Sequence, residues 1–358
     1  MVAALEIRHS GGTCTVRIGP GAADAVSTDI DALLPGHRPV VIADSNTVAL
    51  RPDLWPGITR LDFPAGEASK SRDTWVSLSD RLLDLGVDRR TVIIALGGGV
   101  TTDLAGMVAS TLLRGVPWVA VPTTTLAMVD AALGGKTGVD TQHGKNLIGS
   151  FHHPALVVVD PLFLATLPDE IHRDGLAEVV KHAAIADAGQ WRRLEQSADE
   201  LLALDQRVLP EVLAASIGVK VGVVNEDERE QGRRATLNTG HTIAHALELA
   251  SNFGLSHGKA VAIGLVLETR LGETLGVTEP GTAGRIATLL DALGLPGTAP
   301  GSLDRQRFRD ALLHDKKNRD GTIRVAFLSR IGDTARDHDG SWTIAVPAEA
   351  LEAALEQR

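Results

Sequence analysis

The chain has few of the features of a secreted or membrane protein. It contains a single cysteine, Cys14, in 358 residues, so no disulfide can form within it. Such a composition is typical of a reducing compartment. No stretch of about 18 uncharged apolar residues occurs, which argues against a membrane-spanning helix. The first residues also lack the basic and apolar regions of a signal peptide. We therefore expect a soluble, cytoplasmic protein.

Aromatic residues and basic charge are scarce as well. Tyrosine is absent and aromatic residues make up 3% of the chain, so the core must consist largely of alanine, valine and leucine. Lys and Arg number 35 against 45 Asp and Glu, a net charge of −10. Such a charge does not attract nucleic acid or an anionic membrane, and we expect neither as a partner. A chain of 358 residues, 44% of them hydrophobic, is long enough for two domains.

Short apolar segments alternate with helical patterns in the first half of the chain. Strands are predicted at 13–18, 39–43, 61–63, 91–96, 118–121 and 155–159, and helices at 71–85 and 104–113. Several strands are continuous β-branched runs, the pattern of strands buried on both faces of a parallel sheet. Alternating β and α segments predict a Rossmann-like, doubly wound α/β domain.

The second half of the chain has helical periodicity almost throughout. Helices are predicted at 176–186, 210–224, 242–250 and 259–275. Pro210 suits the first position of its helix, where no N–H is required. We expect a mainly α-helical second domain, with the two domains spanning 1–172 and 173–358.

A run of three glycines, Gly97 to Gly99, lies between a predicted strand and a predicted helix with Asp103 in its first turn. Glycines there allow a ligand to approach the backbone, and a helix N-terminus attracts phosphate oxygens. The run is not GxGxxG, so a nucleotide site and a structural turn are about equally expected. Asp44, after the second strand, is placed to hold a ribose hydroxyl, with a surface loop as the alternative.

Two glycine-rich segments at 129–140 and 144–149 carry Asp130, Lys136, Lys145 and Asn146. We expect these residues to lie in loops. Lysines with an aspartate and an asparagine suit an anionic, hydroxylated ligand. The alternative is that both lysines are merely solvated.

The second half contains a candidate metal site. Glu178 and Lys181 lie three residues apart on a helix, and by spacing alone such a pair is expected on the solvated surface. His241 and His245 share one face at a helix start, and His257 follows. One carboxylate with two or three histidines suits Zn²⁺, and three protein ligands leave a position open for substrate. The alternative is capping or core histidines. Zinc metalloproteases have the motif HExxH, and the glutamate of that motif is absent between His241 and His245, which argues against a metalloprotease.

Further charges flank this candidate site in the sequence. They are Lys220, the polar run 225–234 and the run 314–318, which precedes a hairpin-like stretch at 321–325. A polar loop and a solvated charge run are the alternative interpretations.

Taken together, these segments resemble the 3-dehydroquinate synthases and related sugar phosphate cyclases. The family motifs occur in order over about residues 40–332: GGGV, D.AG, PTT.LA.VD, GGKTGV, GKN.IG.F, GL.E..K, LN.GHT..HA.E, HG.AVA.G and DKK. The resemblance implies an N-terminal α/β domain that binds NAD⁺ and a C-terminal, mainly helical domain that carries zinc, with cobalt as an alternative metal.

The resemblance also implies a set of site residues. The implied zinc ligands are Glu178, His241 and His257, with His245 as a catalytic histidine beside the metal. The implied NAD⁺ contacts are Asp44, Asn46, Glu67, Lys70, Gly98, Gly99, Asp103, Thr123, Thr124, Leu126, Lys136, Lys145, Thr166 and Leu167. The other catalytic residues implied are Asp130, Lys136, Lys181 and Glu230. The implied substrate contacts are Asn146, Lys220, Arg234, Asn238, one of Lys316 and Lys317, and Arg114, which reaches a neighbouring subunit's substrate and so implies a homodimer.

The reaction implied by the resemblance converts 3-deoxy-D-arabino-heptulosonate 7-phosphate, an anionic seven-carbon sugar phosphate, to 3-dehydroquinate and phosphate. It combines transient oxidation by NAD⁺, phosphate elimination, re-reduction and intramolecular aldol closure. Zinc polarises the oxygens at the oxidised carbon. Lys220 and Arg234 look like the family's carboxylate clamp, which favours an acid substrate.

The sequence departs from the family pattern at four places, one of them a pair of adjacent residues. Thr101-Thr102 replaces the usual Val-Gly, Ala244 a glycine, Asp140 an asparagine and Lys259 a glutamate. They leave an aminodehydroquinate-type or sedoheptulose 7-phosphate cyclase as an alternative. A metal-dependent glycerol-type dehydrogenase, which would accumulate NADH and need no basic cluster, is a further alternative. A non-catalytic binding protein would require an incomplete metal set.

Overall fold

A computed structural model describes residues 3–314 and 323–355 of the chain. The chain divides into two compact units, Met1–Pro168 and Asp169–Arg358. The strands of the first unit are β1 Ala3–His9, β2 Gly12–Ile18, β3 Arg38–Asp44, β4 Thr59–Phe63, β5 Thr91–Gly97, β6 Trp118–Pro122, β7 Lys136–Thr141, β8 Gly144–Phe151 and β9 Leu156–Val159. Its α-helices are α1 Val26–Leu33, α2 Ser45–Leu50, α3 Arg72–Asp84 and α4 Gly99–Thr111.

The core of the first unit is a seven-stranded sheet in the order β1-β2-β9-β6-β5-β3-β4. All pairings are parallel except that of β1 with β2. Every residue of β5, β6 and β9 is buried, as the continuous apolar runs predict. The predicted α/β fold is therefore confirmed. The edge strand β1 is missing from the sequence prediction.

The strand order reverses between β3 and β5. From β3 the chain moves outward to β4, and from β5 it moves the other way to β6 and β9. Open α/β sheets bind ligands at such a switch point, beyond the carboxyl ends of the strands. Here those ends are Asp44 and Gly97.

The glycine-rich segments after β6 are not loops, contrary to the sequence prediction. Residues 136–141 and 144–151 form an antiparallel hairpin in which Lys136 pairs with Phe151 and Thr137 with Ser150, and Asp130 lies in a short helix before it. Glycine has no side chain, so the alternation of apolar and polar side chains that marks a strand is weak in this glycine-rich region. A backbone hydrogen bond from Asp140 N to Lys70 O, 2.8 Å long, joins the hairpin to the turn before α3.

The second unit is mainly helical, as predicted. Its helices are α5 Asp169–Ala186, α6 Ala188–Gln196, α7 Ala198–Leu202, α8 Leu209–Glu226, α9 His241–Ala250, α10 His257–Thr274, α11 Thr282–Ala292, α12 Arg305–His314 and α13 Ala348–Ala354. Its short strands are β10 Ile323–Val325, β11 Leu328–Arg330, β12 Asp333–Thr334 and β13 Ile344–Val346. No helix among the described residues is both long and apolar enough to span a membrane.

Three details of this unit differ from the sequence prediction. Helix α5 begins seven residues earlier than residue 176. Pro210 occupies the second position of α8 rather than the first, because Leu209 opens the helix. The strand Ile323–Val325 pairs with the distant β13 instead of forming a local hairpin. The predicted substrate contacts Lys316 and Lys317 lie outside the described residues.

Candidate functional site

At the switch point of the first unit, Asp44 organises the backbone around it. Its Oδ1 accepts the N–H groups of Asn46 and Thr47, each at 3.0 Å, and so caps helix α2. Its Oδ2 accepts the hydroxyls of Thr47 and Thr101, also at 3.0 Å. Thr101 lies in the first turn of α4, so Asp44 links that helix to the end of β3.

The glycine run forms the turn into α4 beside Asp44. Gly98 is the N-cap residue of α4, and a Cβ there would lie 3.0 Å from the methyl group of Thr124. Thr123 N donates to Gly97 O at 2.9 Å, which draws the end of β6 against the same turn. A side chain at position 98 would therefore crowd Thr124 at the helix N-terminus, the position that suits a phosphate.

We expect that Thr101→Val lowers the free energy of unfolding by about 1.5–3 kcal/mol. The substitution keeps the shape of this buried side chain but removes the hydroxyl that donates to the Asp44 carboxylate, and a hydrogen bond to a charged group is worth roughly that amount. Urea denaturation of both proteins measures the difference. An unchanged free energy of unfolding would contradict the link between Asp44 and α4.

Two ion pairs line the turn between β4 and α3. Lys70 is 5% exposed and its ammonium lies 2.5 Å from Asp103 of α4. Burial alone would lower the pKa of Lys70, but Asp103, helped by Glu67 and Asp140, outweighs burial and raises that pKa. Lys145 of the hairpin pairs with Glu67 at 3.1 Å. The turn, the hairpin and α4 thus bring four predicted cofactor contacts together.

The other predicted contacts of the first unit are placed as follows. Asp130 is half-buried in a π-helix, Ala127–Ala131, that begins after Leu126. Such π-helical turns are frequent at functional sites. Thr124 caps this turn through Ala127 N at 3.2 Å. Lys136, Asn146, Thr166, Arg114 and Asn46 are exposed, and Leu167 is half-buried.

In the second unit, three helices bring one carboxylate and two imidazoles together. Glu178 lies within α5, His241 opens α9 and His257 opens α10. Their ligand atoms all lie within 4.8 Å of one another. Each histidine places Nε2 3.4 Å from Oε1 of Glu178.

The geometry of this cluster fits a tetrahedral metal ion. Both oxygens of Glu178 are buried, and neither accepts a hydrogen bond of good geometry from the described residues. Their contacts are ion pairs, with the Lys181 ammonium at Oε2 and the two imidazoles at Oε1. Ligand atoms about 2.0–2.2 Å from a tetrahedral zinc lie roughly 3.3–3.6 Å apart, which matches the two nitrogen–oxygen distances.

The protonation of the cluster depends on burial and on its neighbours. Burial would raise the pKa of Glu178, but Lys181 and the two imidazoles outweigh it and hold that pKa well below its usual value. Burial and the Lys181 ammonium lower the pKa of His241. Partial burial would lower the pKa of His257, but Glu178 and Glu248 outweigh it and raise that pKa to about 10. Glu178 is therefore a carboxylate, the form that binds metal.

The imidazole nitrogens that point away from Glu178 have acceptors of their own. His241 Nδ1 lies 3.3 Å from Thr239 O, and His257 Nδ1 lies 3.5 Å from Oε1 of Glu248. Such partners on the far nitrogen fix the tautomer of a metal-binding histidine and leave Nε2 for the metal.

The pair Glu178–Lys181 is not solvated, contrary to the interpretation from spacing alone. The two side chains are 0% and 1% exposed. Helix α5 is buried on nearly every side from Gly175 to Ile185, so a pair that would ordinarily face solvent lies in the interior. His245, one turn after His241, is half-buried, with its ring centroid 5.3 Å from that of His241.

Two further predicted substrate contacts of this unit are also buried cations. Lys220 on α8 is 6% exposed and Arg234 is 2% exposed. Lysine and arginine are almost never fully buried unless they are paired. Together with Lys181, they place three buried positive charges in one unit of an acidic protein.

The loop after α8 is organised by the carboxylate of Asp227. It accepts the N–H groups of Gln231, Gly232 and Arg234 at 2.9, 2.7 and 2.9 Å. Burial would raise the pKa of Asp227, but these bonds lower it. Within the loop, Glu230 has a positive φ of 60° and accepts a 2.6 Å hydrogen bond from the Asn238 amide. The loop therefore brings three predicted site residues together.

We expect that Asp227→Ala raises KM for an anionic substrate by about tenfold or more, with a smaller effect on kcat. Without the carboxylate, the backbone that carries Arg234 loses three hydrogen bonds to a charged acceptor, and about 1.4 kcal/mol of binding energy corresponds to tenfold. Steady-state kinetics measure both constants. A lower kcat at unchanged KM would contradict this role.

The lowered pKa of Asp227 also gives a direction for the pH dependence of the loop. A carboxyl whose pKa is lower in the folded state stabilises that state above its unfolded pKa, about 3.8, and loses the effect as pH falls through the folded value. The loop should therefore keep its order at pH 5 and lose it only in stronger acid. Hydrogen exchange over residues 227–234 measures this.

Several residues at this site have no role in the sequence prediction. His182 is buried one turn after Glu178 and its Nδ1 lies 2.8 Å from the Ser216 hydroxyl. Asp227 stands in the polar run 225–234 and Glu248 in the motif LN.GHT..HA.E, but nothing in their spacing indicates what they contact. Glu268 directly follows the uncharged run 260–267 of its helix, and this is the one signal that could have marked it.

Comparison with known proteins gives the family of this chain. The sequence model for the N-terminal domain of 3-dehydroquinate synthase matches residues 60–174, and the model for its C-terminal domain matches residues 175–318. The chain belongs to the 3-dehydroquinate synthase family. The 3-dehydroquinate synthase of Pelobacter propionicus is 44% identical over 277 residues, which cover 77% of either chain.

Solved structures of sugar phosphate cyclases share the fold of this family member. The structure of 2-deoxy-scyllo-inosose synthase complexed with carbaglucose-6-phosphate, NAD⁺ and Co²⁺ has a TM-score of 0.88 at 26% identity and covers 99% of both chains. The 2-epi-5-epi-valiolone synthase of Streptomyces hygroscopicus subsp. jinggangensis 5008, with NAD⁺ and Zn²⁺ bound, has a TM-score of 0.83 at 30% identity. The match covers 96% of this chain and 95% of the valiolone synthase chain.

Proposed function

We propose that this member of the family is a 3-dehydroquinate synthase that uses NAD⁺ and zinc. The observation that carries the proposal is a three-residue metal-type cluster in the same unit as three buried cations, Lys181, Lys220 and Arg234. A dehydrogenase for a neutral polyol needs a metal cluster but does not need the buried cations. The curated relatives that bear the name 3-dehydroquinate synthase support the same reaction.

The residues at the switch point would hold NAD⁺. The turn at Gly98 and Gly99 leaves the start of α4 open for the phosphates. Asp44 and Asn46 lie where a ribose is held in this class of sheet. Lys70, paired with Asp103, keeps the wall of the site rigid. When bound, NAD⁺ would supply a reversible hydride acceptor that is not consumed overall.

Glu178, His241 and His257 would hold the zinc ion. Three protein ligands leave a coordination position for substrate hydroxyls. When bound, zinc acts as a Lewis acid that makes these hydroxyls more acidic. His245, one turn beyond His241 and half-buried, would accept the proton of the hydroxyl that is oxidised.

The loop organised by Asp227 would bind the acid group and handle a second proton. Arg234, with Lys220 on α8, supplies the positive charge that a buried carboxylate requires. Asn238 holds Glu230 by the 2.6 Å hydrogen bond, which orients its carboxylate for proton transfer. Elimination then breaks the carbon–oxygen bond to phosphate, which leaves with the bonding electrons as the adjacent C–H proton is removed.

We also propose that the protein acts as a homodimer in the cytoplasm. The conformation of Arg114 supports the proposed homodimer. Its side chain is exposed, and its φ of 66° is one that non-glycine residues rarely adopt. A bulky residue held outward in this way is suited to contact a second copy of the chain. Sedimentation analysis measures the oligomeric state.

The experiment that tests the reaction is phosphate release with two substrates. Purified protein receives NAD⁺, Zn²⁺ and either 3-deoxy-D-arabino-heptulosonate 7-phosphate or sedoheptulose 7-phosphate, and mass spectrometry identifies the organic product. We expect rapid turnover of the acid, with 3-dehydroquinate as product, and only slow turnover of sedoheptulose 7-phosphate that is measurable at high enzyme concentration. Turnover of sedoheptulose 7-phosphate as fast as that of the acid would mean that Thr102 and Lys259 mark a changed specificity, and inactivity on both would contradict the proposal.

A further inference from the structure

The two helices that start with the zinc-ligand histidines lack a local cap. His241 and His257 are the first residues of α9 and α10. The residues before them, Gly240 and Ser256, make no side-chain cap hydrogen bond to their own helix. The N–H groups of a first helical turn have no partner within the helix, so these must be satisfied from elsewhere.

A buried glutamate of α10 caps α9. Glu268 is 0% exposed, and its Oε2 accepts Gly240 N at 2.6 Å while its Oε1 accepts Ile243 N at 2.9 Å. In a capping box these two N–H groups are bound by two side chains of the same helix. Here one carboxylate of a neighbouring helix binds both.

The close approach of α9 and α10 makes this arrangement possible. Gly240 has a φ of 82°, and a Cβ there would lie 2.9 Å from Leu265 N. Any other residue would be strained in this conformation and would push α10 away. The start of α9 therefore rests directly on the backbone of α10, three residues before Glu268.

An aspartate of α5 caps α10 in the same manner. Asp174 accepts Gly258 N at 3.1 Å, Lys259 N at 3.2 Å and the Ser256 hydroxyl at 2.5 Å. It stands one helical turn before Glu178, the ligand that α5 itself supplies. The contacts thus run from α5 to α10 and from α10 to α9, and each of these helices carries one ligand.

We propose that Asp174 and Glu268 are positioning residues of the zinc site. The inference rests on the zinc site proposed above. Asp174 holds His257, and Glu268 holds His241, in position relative to Glu178. Each carboxylate satisfies donors in the turn that holds the histidine and faces the positive end of that helix. Neither residue belongs to the ligand cluster of Glu178, His241 and His257.

The test is the zinc affinity of Asp174→Ala and Glu268→Gln, measured without substrate by competition with a chromogenic chelator. Outer partners of metal ligands typically contribute 10–100-fold in metal affinity, and we expect a loss of that size in both variants. Asp187→Ala is the matched control. Asp187 caps α6 through Gly189 N and Gln190 N, each at 2.9 Å, and α6 carries no ligand. The control should bind zinc within twofold of the unsubstituted protein.

Hydrogen exchange reports the same contacts independently of metal. Amides at 258–259 should exchange faster in Asp174→Ala, and those at 240–243 in Glu268→Gln. A folded variant of either residue that binds zinc within twofold of the unsubstituted protein would overturn the proposal. If Glu268→Gln does not fold, the proposal is tested by Asp174→Ala alone, because Asp174 is only half-buried. Zinc binding within twofold of the unsubstituted protein would again overturn it. A loss of affinity in the Asp187 control as large as that in Asp174→Ala would also overturn it. Because no substrate is present, failure of phosphate release bears only on the proposed function.

Discussion

Replacing Glu178 or His241 by alanine will remove zinc from the protein and with it the reaction. Glu178 is the ligand on which both imidazole nitrogens converge at 3.4 Å, and its loss leaves two neutral ligands beside the buried Lys181 ammonium. We expect less than stoichiometric zinc after dialysis. We also expect phosphate release to fall by at least about a thousandfold, the scale of losing a principal electrostatic stabiliser.

His245→Ala separates metal binding from catalysis. His245 shares a helix face with His241, but it does not belong to the ligand cluster found among the described residues. The variant should keep stoichiometric zinc and lose most of its activity. Atomic absorption and phosphate release on the same samples measure both. A Glu178 or His241 variant with full zinc and full turnover would refute the ligand assignment.

Arg234→Ala will raise KM for an acid substrate far more than for a neutral one. Arg234 is 2% exposed, and truncating one partner of a buried charge pair costs about 2–5 kcal/mol, or at least about 30-fold in affinity. A substrate without a carboxylate lacks that interaction, so its KM should change by only a few-fold. Steady-state kinetics with the acid and with sedoheptulose 7-phosphate at high enzyme concentration give the comparison.

A matched arginine provides the control for this prediction. Arg193 pairs with Glu211 at 3.0 Å on the surface of the same unit, with 48% of its side chain exposed. Exposed ion pairs contribute little, so Arg193→Ala should leave both KM values unchanged. Equal increases in KM for the acid and the neutral substrate in Arg234→Ala would argue against a carboxylate clamp.

The parallel sheet could be predicted from the sequence because its strands are buried on both faces. β5 and β9 are continuous apolar runs that no solvent-facing element would tolerate. The hairpin that carries Lys136 and Lys145 could not be predicted, because its glycines interrupt the alternation of apolar and polar side chains on which strand prediction depends. Its place against the turn at Lys70 is a tertiary contact with no local signal.

The composition of the metal cluster could be predicted, but its surroundings could not. Glu178 and Lys181 have the spacing of a surface pair, and only the packing of α5 buries them. The caps from Asp174 and Glu268 join residues 84 and 28 positions apart, a distance over which spacing carries no information. The sequence therefore predicts ligands from local patterns but not the contacts that hold them.

The structure gives two of the four family departures a physical role and shows that the backbone at a third is held whatever its side chain. Thr101 donates to Asp44, and the Asp140 carboxylate accepts Asn146 N at 2.8 Å, which holds Asn146 at a φ of 54°. The backbone of Lys259 is bound by Asp174, so the turn after His257 does not depend on its side chain.

Ala244, the fourth departure, is buried in α9. A Cβ at Gly264 would lie 3.0 Å from its N atom, in the close contact between α9 and α10. Nothing in these contacts explains the change from glycine to alanine.

The central claim is tested most directly by counting phosphate released per NAD⁺ while absorbance at 340 nm is followed. Purified protein with zinc and excess 3-deoxy-D-arabino-heptulosonate 7-phosphate receives NAD⁺ in an amount far below that of substrate. A synthase of this family releases many equivalents of phosphate per NAD⁺ and accumulates no NADH. One NADH per substrate consumed, without phosphate release, would identify a dehydrogenase and contradict the account.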